Sequence, residues 1–85
     1  MKLKDTITLM LSDNYKDRLK GEYYQIANRH EGLGKMLKLY KANELPFKPV
    51  CSYKLLYEQY VIMGDYMNIL EERACIENIE LKEVE

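Results

Sequence analysis

The stretch SYKLLYEQYVIMGDYMNILEERACI, residues 52–76, decides the fold. Leu56, Tyr60, Met63, Met67, Leu70 and Ala74 recur at alternating steps of four and three, the heptad seam of a helix packed on one partner helix. A second apolar line, Leu55, Ile62, Tyr66, Ile69 and Ile76, runs beside the first. One neighbouring helix covers one such line, so this stretch predicts more apolar surface than a single partner can bury.

The partner helix lies upstream. Ser12-Asp13-Asn14 offers cap-competent residues just ahead of a periodic pattern. Leu19, Tyr23, Ile26, His30, Leu33, Leu37 and Tyr40 then alternate four and three without a slip. Gly21, Gly32 and Gly34 interrupt this helix, each costing ~1 kcal/mol against Ala. Gly-Leu-Gly is open to three readings: a kink, close approach of another helix, or the wall of a ligand pocket. Close packing is the preferred one. It lacks the preceding strand that a phosphate-binding loop requires.

Between the two helices lies KANELPFKPVC, residues 41–51, where Pro46 and Pro49 forbid continued helix. Folding one helix back on the other would place Tyr40 by Leu56, Leu37 by Tyr60, Leu33 by Met63 and His30 by Met67. Ile26 would meet Leu70, and Tyr23 would meet Ala74. The expected fold is therefore all-α: an antiparallel two-helix hairpin with a heptad seam, in a single domain over residues 1–85. Within it, residues 1–12 form an arm or short helix, 13–42 helix one, 43–51 the connection, 52–77 helix two and 78–85 a tail. The tail is read as an added turn of helix or an extended segment packed on the hairpin. The uncovered line Leu55, Ile62, Tyr66, Ile69 and Ile76 is the expected interface of a homo-oligomeric bundle.

Composition narrows the function. A chain of 85 residues is marginal as a free monomer, and oligomerisation is a usual remedy. It carries eight Tyr, one Phe and no Trp, a bias suited to helix interfaces and wet pockets. The net charge of −1 argues against nucleic-acid or membrane binding. Residues 1–50 hold ten Lys/Arg against six Asp/Glu, net +4, and residues 51–85 hold three against eight, net −5. This asymmetry has two readings: the helices attract each other, or the basic face of helix one is left for an anion.

Cys51 and Cys75 lie at opposite ends of helix two, ~36 Å apart at 1.5 Å per residue, too far for a bridge. They read as reduced thiols of a cytosolic protein. No signal peptide or membrane span is expected. No CxxC, HExxH or Cys/His cluster supports a metal, and no cofactor is expected. His30, the one histidine, falls on the seam and reads as a packed residue. No nucleophile–base arrangement can be argued, so the chain is not expected to be an enzyme.

The run from residue 13 to 81 resembles a family of small helical-hairpin proteins of bacteriophages and prophages, relatives of a protein first noted in a crAss-like phage. The resemblance rests on Tyr15 and Arg18, Glu22-Tyr23-Tyr24, Lys35-Met36-Leu37 and Phe47-x-Pro49-x-Cys51. Helix two adds Leu55-Leu56, Gln59, Met63, Tyr66, Leu70, Glu72-Arg73-Ala74 and Ile76-Glu77-x-Ile79. His30-Glu31-Gly32-Leu33-Gly34 departs from the pattern, which has bulkier residues at one or both glycine sites. The resemblance implies a phage accessory protein in the bacterial cytoplasm and implies no reaction. By analogy of architecture alone, it suggests the phage sponges that capture nucleotide signals of CBASS and Thoeris immunity.

Such a ligand, a cyclic nucleotide or ADP-ribose derivative, needs cations for phosphates and flat side chains for bases. Arg18, Arg29, Lys35 and Lys38 are the candidate cations, and Tyr23, Tyr24, Tyr57, Tyr60 and Tyr66 the candidate stacking rings. Arg73 is either paired with Glu22 or Glu77 or clamps a ligand phosphate. The competing expectation is a helical module that binds a host protein through its excess apolar surface.

Overall fold

The computed structural model describes residues 2–81; Met1 and residues 82–85, the end of the expected tail, lie outside the described residues. Among the described residues the protein is all-helical with no strand. A 3₁₀ turn, Leu3–Asp5, leads into α1 (Thr6–Met10), followed by α2 (Tyr15–Lys41) and α3 (Tyr53–Ile76). The two long helices pack against each other, and α1 packs on α2.

The helix starts follow from side chains. The Asn14 Oδ1 accepts from the Lys16 amide at 2.9 Å, capping α2. Behind it, the Ser12 hydroxyl accepts from the Asn14 amide and donates to Asp17 at 2.9 Å. The Ser52 hydroxyl caps α3 by accepting from the Leu55 amide at 3.2 Å. These bonds satisfy amides that have no partner within a helix.

Both long helices stop in the same way, through asparagines in the left-handed region. Asn43 has φ 60° and Asn78 has φ 57°. The Glu44 amide reaches back to Leu39 O at 2.8 Å and the Asn43 amide to Tyr40 O at 3.1 Å. After α3, the Ile79 amide reaches Ala74 O at 2.8 Å and the Asn78 amide reaches Cys75 O at 3.4 Å. Each is a Schellman stop, and the second carries its usual apolar contact, with Ile79 folded onto Ala74 and Leu19 in one buried cluster.

The core holds Leu19, Tyr24, Leu37, Met63, Leu70, Ala74 and Ile79, with Leu70 fully enclosed. Thr6 is buried as well; its hydroxyl donates to Leu3 O at 2.7 Å. The ring of His30, which the heptad alignment places by Met67, has Tyr60 as its stacking partner. The centroids are 4.0 Å apart and the planes within 11°, and a Cβ on Gly64 would lie 3.3 Å from the His30 Nε2. A Cβ on Gly34 would stand 2.9 Å from Tyr60 Cε1. The large ring of Tyr60 needs a glycine opposite, and so does the imidazole of His30. Size matching between these pairs sets the register. The helix α2 runs unbroken through Gly32 and Gly34.

Gly21 serves α1. A Cβ there would meet the Leu9 Cβ and the Met10 backbone nitrogen, each at 3.0 Å. The backbone of α1 therefore lies directly on α2.

Candidate functional site

On α3, Tyr53, Tyr57 and Tyr60 are spaced four and three apart, which places them along one flank of the helix. Tyr53 and Tyr57 lie nearly parallel at 6.0 Å between centroids, and Tyr57 and Tyr60 are tilted at 6.5 Å. Tyr40 meets Tyr53 edge-on at 5.5 Å, and Tyr60 continues onto His30. Tyr53, Tyr57 and Tyr60 form one wall of a groove of ≈ 420 Å³ whose other wall is the end of α2: Gly34, Leu37, Lys38, Lys41 and Ala42. Gly34 keeps the floor low, because any side chain there would run into Tyr60.

The groove sets flat aromatic surface beside positive charge. Its volume falls in the ~300–1,000 Å³ range of small-molecule sites. Lys38 and Lys41 stand on one wall, and no carboxylate lines it. The last carbonyls of α2 would repel an anion, but those of Lys38, Leu39 and Tyr40 are already occupied by the amides of Ala42, Glu44 and Asn43. Ring centroids 6.0–6.5 Å apart are too close for a base to slide between, which needs about 7 Å at normal stacking separation. A planar ligand would lie along the tyrosine wall with its anionic groups toward the lysines.

Two other hollows are less suited to an anion. One beside His30 and Tyr60 is edged by Asp65 and Glu71. The other, of ≈ 430 Å³, lies under the connection and is lined by Leu45, Pro46, Phe47 and Pro49, with Lys48.

Of the candidate site residues singled out from the sequence, the groove brings together Lys38, Tyr57 and Tyr60. Lys35 is exposed and pairs with Glu31 one turn back, at 3.2 Å. Arg29 is exposed and does not line the groove. Arg18 is turned to the start of α2, where its Nη1 donates to Ser12 O at 2.8 Å. Tyr24 is only 5% exposed and edge-on to Tyr23, which places its ring in the core and outside the groove. Tyr66 is exposed on α3 but lies outside the groove.

Arg73 stands at the far end of the molecule. Its Nη2 donates to the Tyr15 hydroxyl at 2.5 Å, and its Nε lies 3.7 Å from Glu77. Tyr15 in turn donates to Glu77 at 3.4 Å. The Tyr15 hydrogen bond, with Glu77 and Glu22 nearby, holds the guanidinium pKa above its ordinary value. One turn further in, burial and the charge of Glu71 push the Tyr23 phenol up, and its hydroxyl donates to Glu71 at 3.4 Å.

Sequence reasoning missed Lys41 and Tyr53. The four-three spacing of Tyr53, Tyr57 and Tyr60, set against Lys38 and Lys41 one turn apart, was the available signal. Among the described residues, no group of three or more His, Cys, Asp or Glu is placed to hold a metal ion. No helix is long and apolar enough to cross a membrane.

No curated protein and no solved structure matches the chain. A family model described as Sequestin matches residues 13–76, which takes in α2, the connection and α3. The match leaves out α1 and the turn that buries Ile79. The name describes sequestration, a binding role rather than a catalytic one. Its span includes every residue of the tyrosine–lysine groove and exceeds half of the chain, and on that match the protein belongs to the Sequestin family.

Proposed function

We propose that this protein is a non-catalytic phage accessory protein that works in the bacterial cytoplasm by sequestering a nucleotide-type immune signal. The ligand class is a cyclic nucleotide or an ADP-ribose derivative. The protein folds as a single antiparallel helical hairpin and acts as a homo-oligomer. The hairpin reading is supported by contacts that join the start of α2 to the end of α3, Tyr15 with Glu77, and the end of α2 to the end of the connection, Tyr40 with Cys51 O. The family name supports sequestration.

The single observation that carries the ligand class is the groove itself. Three tyrosines offer flat apolar surface, and two lysines offer charge to phosphate with no competing carboxylate on the lining. Base–aromatic contact tolerates different bases, as a sponge for several related signals requires.

The test is a melting screen against cyclic di- and trinucleotides and ADP-ribose derivatives, in the wild type and in Tyr57→Ala and Lys38→Glu. A ligand at a hundredfold excess over Kd stabilises the folded state by about 2.7 kcal/mol. In a domain of this size that shifts Tm by on the order of 10 °C or more. The shift should vanish in both variants. A flat screen sinks the nucleotide reading and leaves the alternative, a helical module binding a host protein. That alternative is favoured by one observation, the exposed apolar line Leu55, Ile62, Tyr66, Ile69 and Ile76.

A further inference from the structure

The apolar line of α3 and the tyrosine groove occupy opposite flanks of the same helix. At 100° per residue, Leu55, Ile62, Ile69 and Ile76 lie roughly 100–160° round the helix from its seam on one side. Tyr53 and Tyr57 lie roughly 60–100° from the seam on the other side. The contacts agree with this division. The groove is lined by Tyr53 and Tyr57, while the four aliphatic residues are 55–73% exposed and line none of the three hollows described.

We infer that a second copy of this chain docks on the apolar line, α3 against α3 in antiparallel orientation, and that this leaves the tyrosine–lysine groove of each copy open, so that each protomer carries its own complete ligand site. The inference rests on the oligomeric reading above and adds the docking face and the ligand count.

The spacing argues for a second copy. Four aliphatic residues at strict intervals of seven are their own complement when the helix meets itself reversed. Leu55 then faces Ile76 of the partner subunit, and Ile62 faces Ile69 of the partner subunit, with the two-fold axis passing near Asp65 and Tyr66. Together with Tyr66 these side chains expose on the order of 500 Å², and with the flanking residues they approach the ~800 Å² that each partner buries in a stable interface.

A row of carboxylates, Glu58, Asp65 and Glu72, also at intervals of seven, borders the line on the side away from the seam, with Lys54 the one cation on that edge. In the reversed pair these rows run edge to edge. The docking therefore strengthens as salt screens them. A basic partner helix from another protein would show the opposite salt dependence.

Sedimentation equilibrium at low and high NaCl, combined with radical footprinting of individual tyrosines, tests this. The expected result is a dimer tighter at high salt, with Tyr66 protected on dimerisation while Tyr53 and Tyr57 stay equally reactive. Ile62→Glu should yield a folded monomer with native helical circular dichroism; Ile69→Glu serves as its independent repeat. A wild type that stays monomeric at its highest soluble concentration overturns the inference. So does protection of Tyr53 and Tyr57 with Tyr66 unchanged, or a dimer that salt dissolves. An intact dimer with a flat ligand screen would sink the sequestering proposal and spare this one. A ligand-binding monomer would do the reverse.

Discussion

Gly32→Ala and Gly34→Ala make the same chemical change two residues apart on α2, and the structure assigns them opposite signs. A Cβ on Gly32 meets nothing within 4 Å, so the substitution only removes the backbone freedom of an exposed helical glycine. That stabilises by about 0.5–1 kcal/mol, a rise in Tm of roughly 3–6 °C for a domain of this length. On Gly34 the new methyl would stand 2.9 Å from Tyr60 Cε1 and 3.3 Å from its hydroxyl oxygen. The Tyr60 ring has little room to retreat, because its own stacking partner His30 lies 4.0 Å away between centroids. Overpacking of this kind costs about 1–3 kcal/mol. Set against the same helix-propensity gain, the net is a loss of zero to about 2 kcal/mol. Urea denaturation followed by far-ultraviolet circular dichroism, at matched protein concentration, reads both values. Equal stabilisation by the two alanines would refute the contact between Gly34 and Tyr60, and with it the register of α2 on α3.

Two other substitutions probe the ends. Asn78→Ala forces a Cβ residue without a local hydrogen-bonding side chain into φ 57° and should cost about 1–2 kcal/mol, whereas Asn78→Gly should not; an alanine variant as stable as the glycine one, by the same urea assay, contradicts the Schellman stop that holds Ile79. Arg73→Ala should lower Tm slightly and leave ligand-induced shifts intact, since its donors are engaged by Tyr15 and Glu77. Combined with Tyr15→Phe it should add little further loss, and a selective loss of ligand response would instead make Arg73 a phosphate clamp.

The seam was legible because burial leaves a periodic trace: Met63, Leu70 and Ala74 are buried where the four-three pattern puts them. Register was not, because a heptad pattern slid by about one turn still matches apolar to apolar. What breaks that degeneracy is size. Tyr60 fits only over Gly34, and His30 fits only over Gly64. The asparagine stops were missed for a different reason: Asn43 and Asn78 resemble ordinary loop residues until their positive φ is known. Residues 1–12 could be read only as an arm or short helix, because the segment is too short for its apolar pattern to decide. The docking of α1 on α2 at Gly21 is a tertiary effect that no local pattern encodes. Among the residues that line the groove, Lys38, Tyr57 and Tyr60 had been singled out by residue type alone. Lys41 and Tyr53 were missed since they stand on opposite sides of the connection and meet only when it closes.

The same scarcity of core explains why both flanks of α3 stay exposed. Among the described residues seven apolar side chains are buried, in a chain short enough to be marginal on its own. Evolution of a larger interior was open to Ile62, Ile69 and Ile76, yet these face outward. A tyrosine covers apolar surface on its ring and keeps a hydroxyl in water, so the groove stays soluble when empty. Stability withheld from the free chain can then be supplied from outside, by whatever binds only the folded form. In the proposed assembly the ligand and the second copy would sit on opposite sides of one helix, so that neither would displace the other and each would stabilise the same α2–α3 seam.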